Sequence, residues 1–300
     1  MTTGSLWRFL LVALLGGISF PMLKLTLAGV TPAQLVFGRL LLGAVVLLVL
    51  AGVRGVRLPR PGGVWGHVVV AALLGNVVPF MLLSHGERTT DAAVAGILVG
   101  STPLLTLALA AVALPTESVT RRKVIGLLTG FCGLVVVLDP WHRPIGSLGG
   151  QLACLGAALC YALYFLHIRR YLSPLGLAPV SLIAAQLCAA TVLQAPPVLV
   201  EGATPHLTGE VVAGMVILGL LCTGLGYTQL FRLIGEVGAA TASAVNYLEP
   251  VFSALISTVL LGESLTWTML AGGAVLLGGL AYAENRLRRP RWSGVAGEVP

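Results

Sequence analysis

Long apolar stretches separated by short polar loops make up most of the chain. A helix needs about 20 apolar residues to cross the ~30 Å hydrocarbon core of a bilayer. By this measure the sequence predicts an all-α polytopic membrane protein with ten transmembrane helices and no loop long enough for a soluble domain. The predicted spans, numbered first to tenth, are Leu6–Leu27, Gln34–Val53, Val64–Leu83, Ala92–Leu114, Arg122–Leu138, Leu148–His167, Leu177–Val200, Val211–Leu233, Val237–Leu261 and Thr266–Ala283.

The composition supports this interpretation. Hydrophobic residues make up 57% of the chain and charged residues 10%, whereas soluble domains carry about 25% charged residues. The low charge content argues against a cytosolic enzyme, a disordered chain and a nucleic-acid-binding protein. The sequence contains no P-loop, H-E-x-x-H or G-x-S-x-G motif, so we expect no direct use of ATP, no catalytic centre, no metal and no cofactor.

The placement of Lys and Arg predicts the orientation in the membrane, because positively charged loops stay in the cytoplasm. With the N-terminus inside, 14 cations fall on the cytoplasmic side and 3 on the outer side. We therefore expect a multi-pass protein of the cell (cytoplasmic) membrane with both termini in the cytoplasm. The net charge of +7 then reflects topology rather than a nucleic-acid partner.

A repeat is visible in the sequence. The segment E-S-V-T at residues 117–120, with Gly126 and Gly133 after it, recurs 146 residues later as E-S-L-T at 263–266 with Gly272 and Gly279. Thr120 and Thr266 are placed to cap the fifth and tenth helices, with Glu117 and Glu263 in the loops before them. The glycine pairs predict two helices that pack closely within the bundle or form a dimer face.

The repeat predicts the domain organisation. We expect one five-helix repeat over residues 1–140, a second over 141–285, and a basic cytoplasmic tail over 286–300. Because five is odd, the second half enters the membrane from the opposite side, so the halves are inverted repeats. Secondary transporters use this architecture to rock about a site near the midplane.

Several of these motifs resemble the drug/metabolite transporter superfamily, in its EamA-like branch. The resemblance covers residues 6–285, although Pro115-Thr116 replaces the usual Leu-Gly before Glu117. It implies two five-helix units and transport of amino acids, other metabolites or drugs. The residues that carry it are Lys24, Thr31-Pro32, Arg39, Thr102-Pro103-Leu104, Leu248-Glu249-Pro250-Val251-Phe252 and Leu261-Gly262-Glu263-Ser264-Leu265-Thr266.

Two charged residues lie deep inside predicted spans, away from the span ends. Glu249 falls near the middle of the ninth span, where a carboxylate costs ~3 kcal/mol unless it faces protein or water. It is either a site for proton coupling or a substrate amine, or a carboxyl group paired for structure. Arg39 lies about a third of the way into the second span. It can bind a substrate carboxylate, neutralise Glu249, or extend its charged end to the interface.

Polar residues and prolines in other spans complete the candidate site. Asn76 in the third span needs a protein partner. Pro79, Pro103 and Pro250 predict helix breaks near the midplane, as in transporters with interrupted helices. A further set, of which we expect about half to reach a cavity, comprises Tyr161, Tyr164, Tyr227, Gln229, Asn246 and Tyr247.

Together these features predict a permease that moves a small metabolite or amino acid, as an exporter, by alternating access. An efflux carrier for drugs or amphiphiles is the first alternative. A channel-like path, a membrane enzyme and a non-transporting assembly factor are the others. The expected partners are a small-molecule solute, the lipid bilayer, protons and a second copy in a homodimer, with no nucleic acid.

Overall fold

The computed structural model describes residues 1–60, 62–86, 89–90, 92–114, 119–142, 146–261 and 267–283. Within these residues the regular structure is entirely helical. The α-helices are α1 (Thr3–Thr26), α2 (Pro32–Val53), α3 (Gly63–Ala72), α4 (Val78–Gly86), α5 (Ala92–Gly100), α6 (Thr102–Ala113), α7 (Arg121–Leu138), α8 (Leu148–His167), α9 (Pro179–Glu201), α10 (Gly209–Val216), α11 (Gly226–Val237), α12 (Ala239–Ser243), α13 (Val245–Leu261) and α14 (Trp267–Ala283).

Three stretches of π-helix interrupt this pattern. Leu73–Val77 joins α3 to α4, Ile217–Leu225 joins α10 to α11, and Ile168–Leu172 follows α8. The first two leave their helices continuous but turn the side chains after them to a new face, because a π turn takes up more residues than an α turn. Such π-helical stretches often occur at functional sites.

The described helices overlap every predicted span, and seven helical stretches are long and apolar enough to cross a membrane. α14 is apolar but shorter, at 17 residues. The chain is therefore an all-α integral membrane protein. The seven stretches are Thr3–Leu23, Pro32–Val53, Gly63–Leu83, Val94–Ala113, Leu148–Leu175, Pro179–Glu201 and Gly209–Val237.

Side-chain caps start several helices where the sequence predicts. Thr31 forms a capping box with Gln34 at the start of α2, which satisfies two backbone N–H donors at once. Thr120 accepts a hydrogen bond from the Lys123 backbone N–H at 3.2 Å, so its predicted cap on α7 is confirmed. The corresponding cap at Thr266, the loop residues Glu117 and Glu263, and the tail 286–300 lie outside the described residues.

The helices pack mainly across the two halves of the chain. α1 packs against α13, α2 against α9, and α7 against α14, while α8 packs against α4, α5 and α6. Neither half therefore forms a separate bundle, and the two halves share one core. Side chains from both halves are buried together in it, including those of Leu40, Leu134, Ile183 and Leu276.

The glycines of the repeat bring α7 and α14 into backbone contact, as the sequence predicts. A Cβ on Gly133 would lie 2.5 Å from the Leu276 nitrogen and 2.7 Å from the Gly272 oxygen. On the other helix, a Cβ on Gly272 would lie 2.7 Å from the Gly133 oxygen. Only glycine allows this approach, which maximises dispersion contacts between helices in a lipid environment.

This seam predicts the effect of adding one methyl group. We expect Gly133→Ala to lower the thermal unfolding midpoint in detergent, because the new Cβ meets backbone atoms that cannot move aside; overpacking of this kind costs about 1–3 kcal/mol. Gly278→Ala on α14 is the matched control, since a Cβ there meets nothing within 4 Å. Equal midpoints for the two variants would show that the seam does not limit stability.

Candidate functional site

Arg39 is the charged residue at the centre of the candidate site. Its side chain is buried, at 5% exposure, within α2. The Arg39 Nε donates a hydrogen bond to Thr223 Oγ1 at 3.0 Å, and the guanidinium lies 4.6 Å from the centroid of the Phe80 ring. Thr223 in turn donates to the Leu218 carbonyl at 2.8 Å. Among the described residues the guanidinium has no other hydrogen bond, so its terminal nitrogens remain available to a ligand.

The π-helical stretch of the eighth predicted span is what places Thr223. Its hydroxyl bonds the carbonyl five residues earlier rather than the usual four, which follows the local π spacing. A β-branched threonine is also restricted in χ1, so the hydroxyl is held in place. The Arg39 side chain is therefore fixed by a residue from the other half of the chain.

An amide cluster joins the third, sixth and seventh predicted spans. Gln186 Nε2 donates to Asn76 Oδ1 at 2.8 Å and to the Tyr164 hydroxyl at 3.5 Å. All three side chains are buried. Among the described residues, Asn76 Nδ2 is buried without a hydrogen-bond partner. An unpaired buried donor costs about 1–3 kcal/mol, so a hydrogen bond from this nitrogen to a water or a solute would be stabilising.

Gly75 gives two tyrosines access to the same cluster. A Cβ on Gly75 would lie 2.6 Å from the Tyr164 ring, so the ring lies directly against the backbone. The Tyr227 hydroxyl donates to the Gly75 carbonyl at 2.7 Å. The rings of Tyr164 and Tyr227 meet edge to face, with centroids 6.2 Å apart. Both aromatic side chains therefore line one surface beside Asn76.

Glu249 lies on α13 where that helix crosses α1. A Cβ on Gly16 would lie 2.5 Å from the carboxyl carbon of Glu249, so this glycine makes room for the carboxylate. The side chain is half-buried. Arg39, Tyr161 and Tyr227 lie within electrostatic range of its carboxyl group, but no ion pair or hydrogen bond to that group occurs among the described residues. The carboxylate thus remains open to a ligand or a proton.

Other predicted site residues lie elsewhere. The Tyr247 hydroxyl donates to the Leu127 carbonyl at 3.1 Å, and its ring packs beside Gly130 and Phe131 of α7. Tyr247 therefore joins α13 to α7 and does not face the cluster around Arg39. Asn246 and Gln229 are half-buried, and neither side chain has a hydrogen bond to the described residues.

The three prolines predicted to break helices differ in what the structure shows around them. Pro103 is the second residue of α6, directly after a turn at Ser101 that separates α6 from α5. Pro79 is the second residue of α4, after a π stretch rather than a break. Pro250 does not interrupt its helix, because α13 continues through it from Val245 to Leu261. The ninth predicted span is instead interrupted at Ala244, between α12 and α13, where there is no proline.

Some residues of the site were not predicted. Gln186 is an amide inside an apolar span, the same signal that identified Asn76, and could have been found in that way. Thr223 and Phe80 carry no such signal, because a threonine or phenylalanine is unremarkable in a membrane helix. Their contacts with Arg39 arise only when helices distant in sequence meet.

The candidate site combines charged groups with neutral hydrogen-bonding groups. Arg39 offers donors to an anionic group and Glu249 offers a carboxylate to a cationic one. Asn76, Gln186 and the two tyrosine hydroxyls provide neutral polar contacts beside aromatic faces. No group of three or more His, Cys, Asp or Glu side chains is placed to hold a metal ion within the described part of the chain.

Three hydrogen bonds of the site cross between the halves of the chain. Arg39 bonds Thr223, Asn76 bonds Gln186, and Gly75 bonds Tyr227. In each pair the first residue precedes position 140 and the second follows position 148. The site is therefore completed only when both halves are present.

Comparisons with known proteins identify the family and a solved structure with the same fold. The model of the EamA-like transporter family matches the chain twice, over residues 3–139 and 148–283. A solved crystal structure covers 96% of this chain and 100% of its own, with a TM-score of 0.81 at 23% sequence identity. That similarity shows a shared fold.

Relatives of similar length carry transporter names. The uncharacterized transporter YdfC of Bacillus subtilis is 29% identical over 278 residues, which cover 90% of this chain and 88% of its own. A probable terminal-alkyne amino-acid exporter of Streptantibioticus cattleyicolor is 27% identical over 285 residues, 94% of each chain. The names indicate transporters rather than enzymes. The resemblance seen in the sequence is confirmed, and the chain belongs to the EamA-like transporter family.

Proposed function

We propose that this protein is a secondary transporter that exports a small zwitterionic metabolite, an amino acid in the first instance, across the cytoplasmic membrane by alternating access. The observation that carries the proposal is a cluster, contributed by both family units, that contains one buried guanidinium and one carboxylate with no partner among the described residues. Such a pair is complementary to a solute with a carboxylate and an ammonium group. The similarity to a relative named as an amino-acid exporter supports the same substrate class.

The proposed architecture is ten transmembrane helices in two inverted five-helix repeats, over residues 1–140 and 141–285, with a basic tail over 286–300. Helix packing supports it. α1 packs on α13. Exchange of the two halves replaces α1 by α8 and α13 by the segment of α5 and α6, and these helices also pack together. The same exchange maps the α2–α9 and α7–α14 pairs onto themselves. With both termini in the cytoplasm, as the cations predict, the two halves face opposite sides of the membrane.

The π-helical stretches support alternating access. Residues 73–77 correspond, at the repeat offset of 146, to residues 219–223, which fall inside the stretch Ile217–Leu225. Matching irregular segments in two repeats are the usual location of a transport site. Here they hold Asn76 and Thr223, whose hydrogen bonds to Gln186 and Arg39 cross between the halves of the chain. Rocking of the halves would break and remake these bonds around the solute.

The proposed mechanism assigns separate roles to the two charges. Arg39, held through its Nε by Thr223, binds the solute carboxylate with its terminal nitrogens. Glu249 binds either the solute ammonium group or a proton, but not both at once, because each occupies the same carboxylate. Competition of this kind exchanges protons for solute, so that inward movement of protons drives export.

The role of Arg39 can be tested in proteoliposomes by counterflow with a panel of amino acids, their carboxamides and cationic dyes. For an amino acid that shows saturable counterflow, we expect the wild type to prefer the free acid to the amide. We expect Arg39→Gln to lose this preference. A charge-assisted hydrogen bond contributes about 1.5–3 kcal/mol, which corresponds to a loss of roughly 10–100-fold in preference.

Arg54→Gln is the matched control, because Arg54 is an exposed cation at the end of the same helix. It should retain the preference for the acid. A variant Arg39→Gln that still distinguishes acid from amide would remove Arg39 from substrate binding. Saturable counterflow of cationic dyes alone would favour the drug-efflux alternative and contradict the zwitterion proposal.

The role of Glu249 can be tested with the same vesicles and an acidic lumen. We expect wild-type protein to accumulate solute as protons leave. Glu249→Gln should retain counterflow at a raised KM but lose this accumulation, because the amide neither binds nor releases a proton. Glu210→Gln, at an exposed carboxylate in the first turn of α10, should accumulate solute as the wild type does.

The double variant separates ligand binding from internal pairing. If Arg39 and Glu249 mainly neutralise each other, Arg39→Ala with Glu249→Ala should transport better than Arg39→Ala alone, because a single removal leaves an uncompensated charge. If each binds solute, the double variant should be at least as impaired as the worse single variant. Undiminished accumulation by Glu249→Gln would show that Glu249 does not couple protons.

A further inference from the structure

A second cavity lies away from the charged cluster, between helices of both halves. It has a volume of about 170 Å³ and is lined by α1, α7, α12, α13 and α14. Its walls are almost entirely apolar and include Leu6, Phe9, Leu127, Ala244 and Leu280. It is open on one side. We call it the terminal crevice, because it is formed at one end of the bundle.

The terminal crevice lies at the level of a membrane surface. It is bounded by the first turns of α1 and α7 and the last turns of α14, which meet at the same end of the helices. Trp7, on the first turns of α1, is 65% exposed at this end. Tryptophan on the lipid-facing surface is characteristic of the boundary between headgroups and acyl chains. The exposed Trp7 therefore places this end of the bundle at the lipid interface.

A cation lies at the rim. Lys123, at the start of α7, lines the crevice. The neighbouring Arg122 is directed to α14, where its Nε donates to the Tyr282 carbonyl and its guanidinium lies 4.7 Å from the Tyr282 ring centroid. Arg121 lies on a different surface, outside the crevice lining. Three successive cations thus start α7, and one of them borders an apolar cavity at headgroup depth.

We propose that the terminal crevice binds an anionic phospholipid, with one acyl chain in the apolar cavity and its phosphate beside Lys123. The apolar walls match an acyl chain and offer almost no hydrogen bonds to a polar solute. The positive end of the α7 N-terminus and the basic residues there attract an anionic headgroup. The bound lipid would hold α1 and α14 together at the end where the two halves meet. This inference does not rest on the proposed transport function.

The test measures stability of the purified full chain in detergent with added lipid. We expect phosphatidylglycerol to raise the thermal unfolding midpoint more than phosphatidylcholine with the same acyl chains. Lys123→Gln should lose at least about half of the difference, since it removes the headgroup contact. Arg121→Gln should keep the difference, because Arg121 carries the same charge in the same helical turn but lies outside the crevice lining.

A second variant tests the cavity without changing charge. Thr241 lines the crevice from α12 and is half-buried. Thr241→Leu should fill the space and reduce the response to phosphatidylglycerol even where Lys123 is intact. Equal responses to the two lipids would contradict the proposed preference for an anionic headgroup. An undiminished difference in both Lys123→Gln and Thr241→Leu would place the lipid elsewhere. An equal effect from soluble glycerol phosphate would show anion binding without an acyl chain.

Discussion

The absence of water from the bilayer core is the constraint on which the rest of this structure depends. A guanidinium or an amide inside a membrane helix has to face protein or a wet cavity, because lipid cannot satisfy it. Arg39, Asn76 and Gln186 all meet this requirement with partners on helices that are distant in sequence. Since the partners lie in opposite halves of the chain, burial of polar groups also holds the halves together.

Backbone geometry makes these contacts possible. Glycine at positions 16 and 75 allows a carboxylate and a tyrosine ring to approach the backbone more closely than a Cβ would permit. The π-helical stretches bring Asn76 and Thr223 to the interior while their helices stay continuous. In contrast, the α7–α14 seam uses glycine only for close packing. The same residue type therefore supports stability at one end of the fold and the geometry of the site in its middle.

The polar residues that the sequence singled out do not all share one environment. Arg39, Asn76, Tyr164, Tyr227 and Glu249 are brought into one region, and their part in transport remains a prediction. Tyr247 turns instead toward α7, because a tyrosine can equally well satisfy its hydroxyl with a helix carbonyl and bury its ring in the core. Pro250 lies in a continuous helix, since a membrane helix tolerates a proline when neighbouring groups satisfy the freed carbonyl.

The sequence by itself determined the class of protein, the approximate limits of the helices, the repeat and the family. These follow from local quantities: the length of apolar runs, the position of cations and the spacing of short motifs. Only the tertiary structure decided that Thr223 holds Arg39, that Gln186 joins Asn76, and that Tyr247 is a packing residue. Hydropathy reports that a polar group must avoid lipid, but the choice of its partner depends on which helices meet, and that is a property of the whole packed chain.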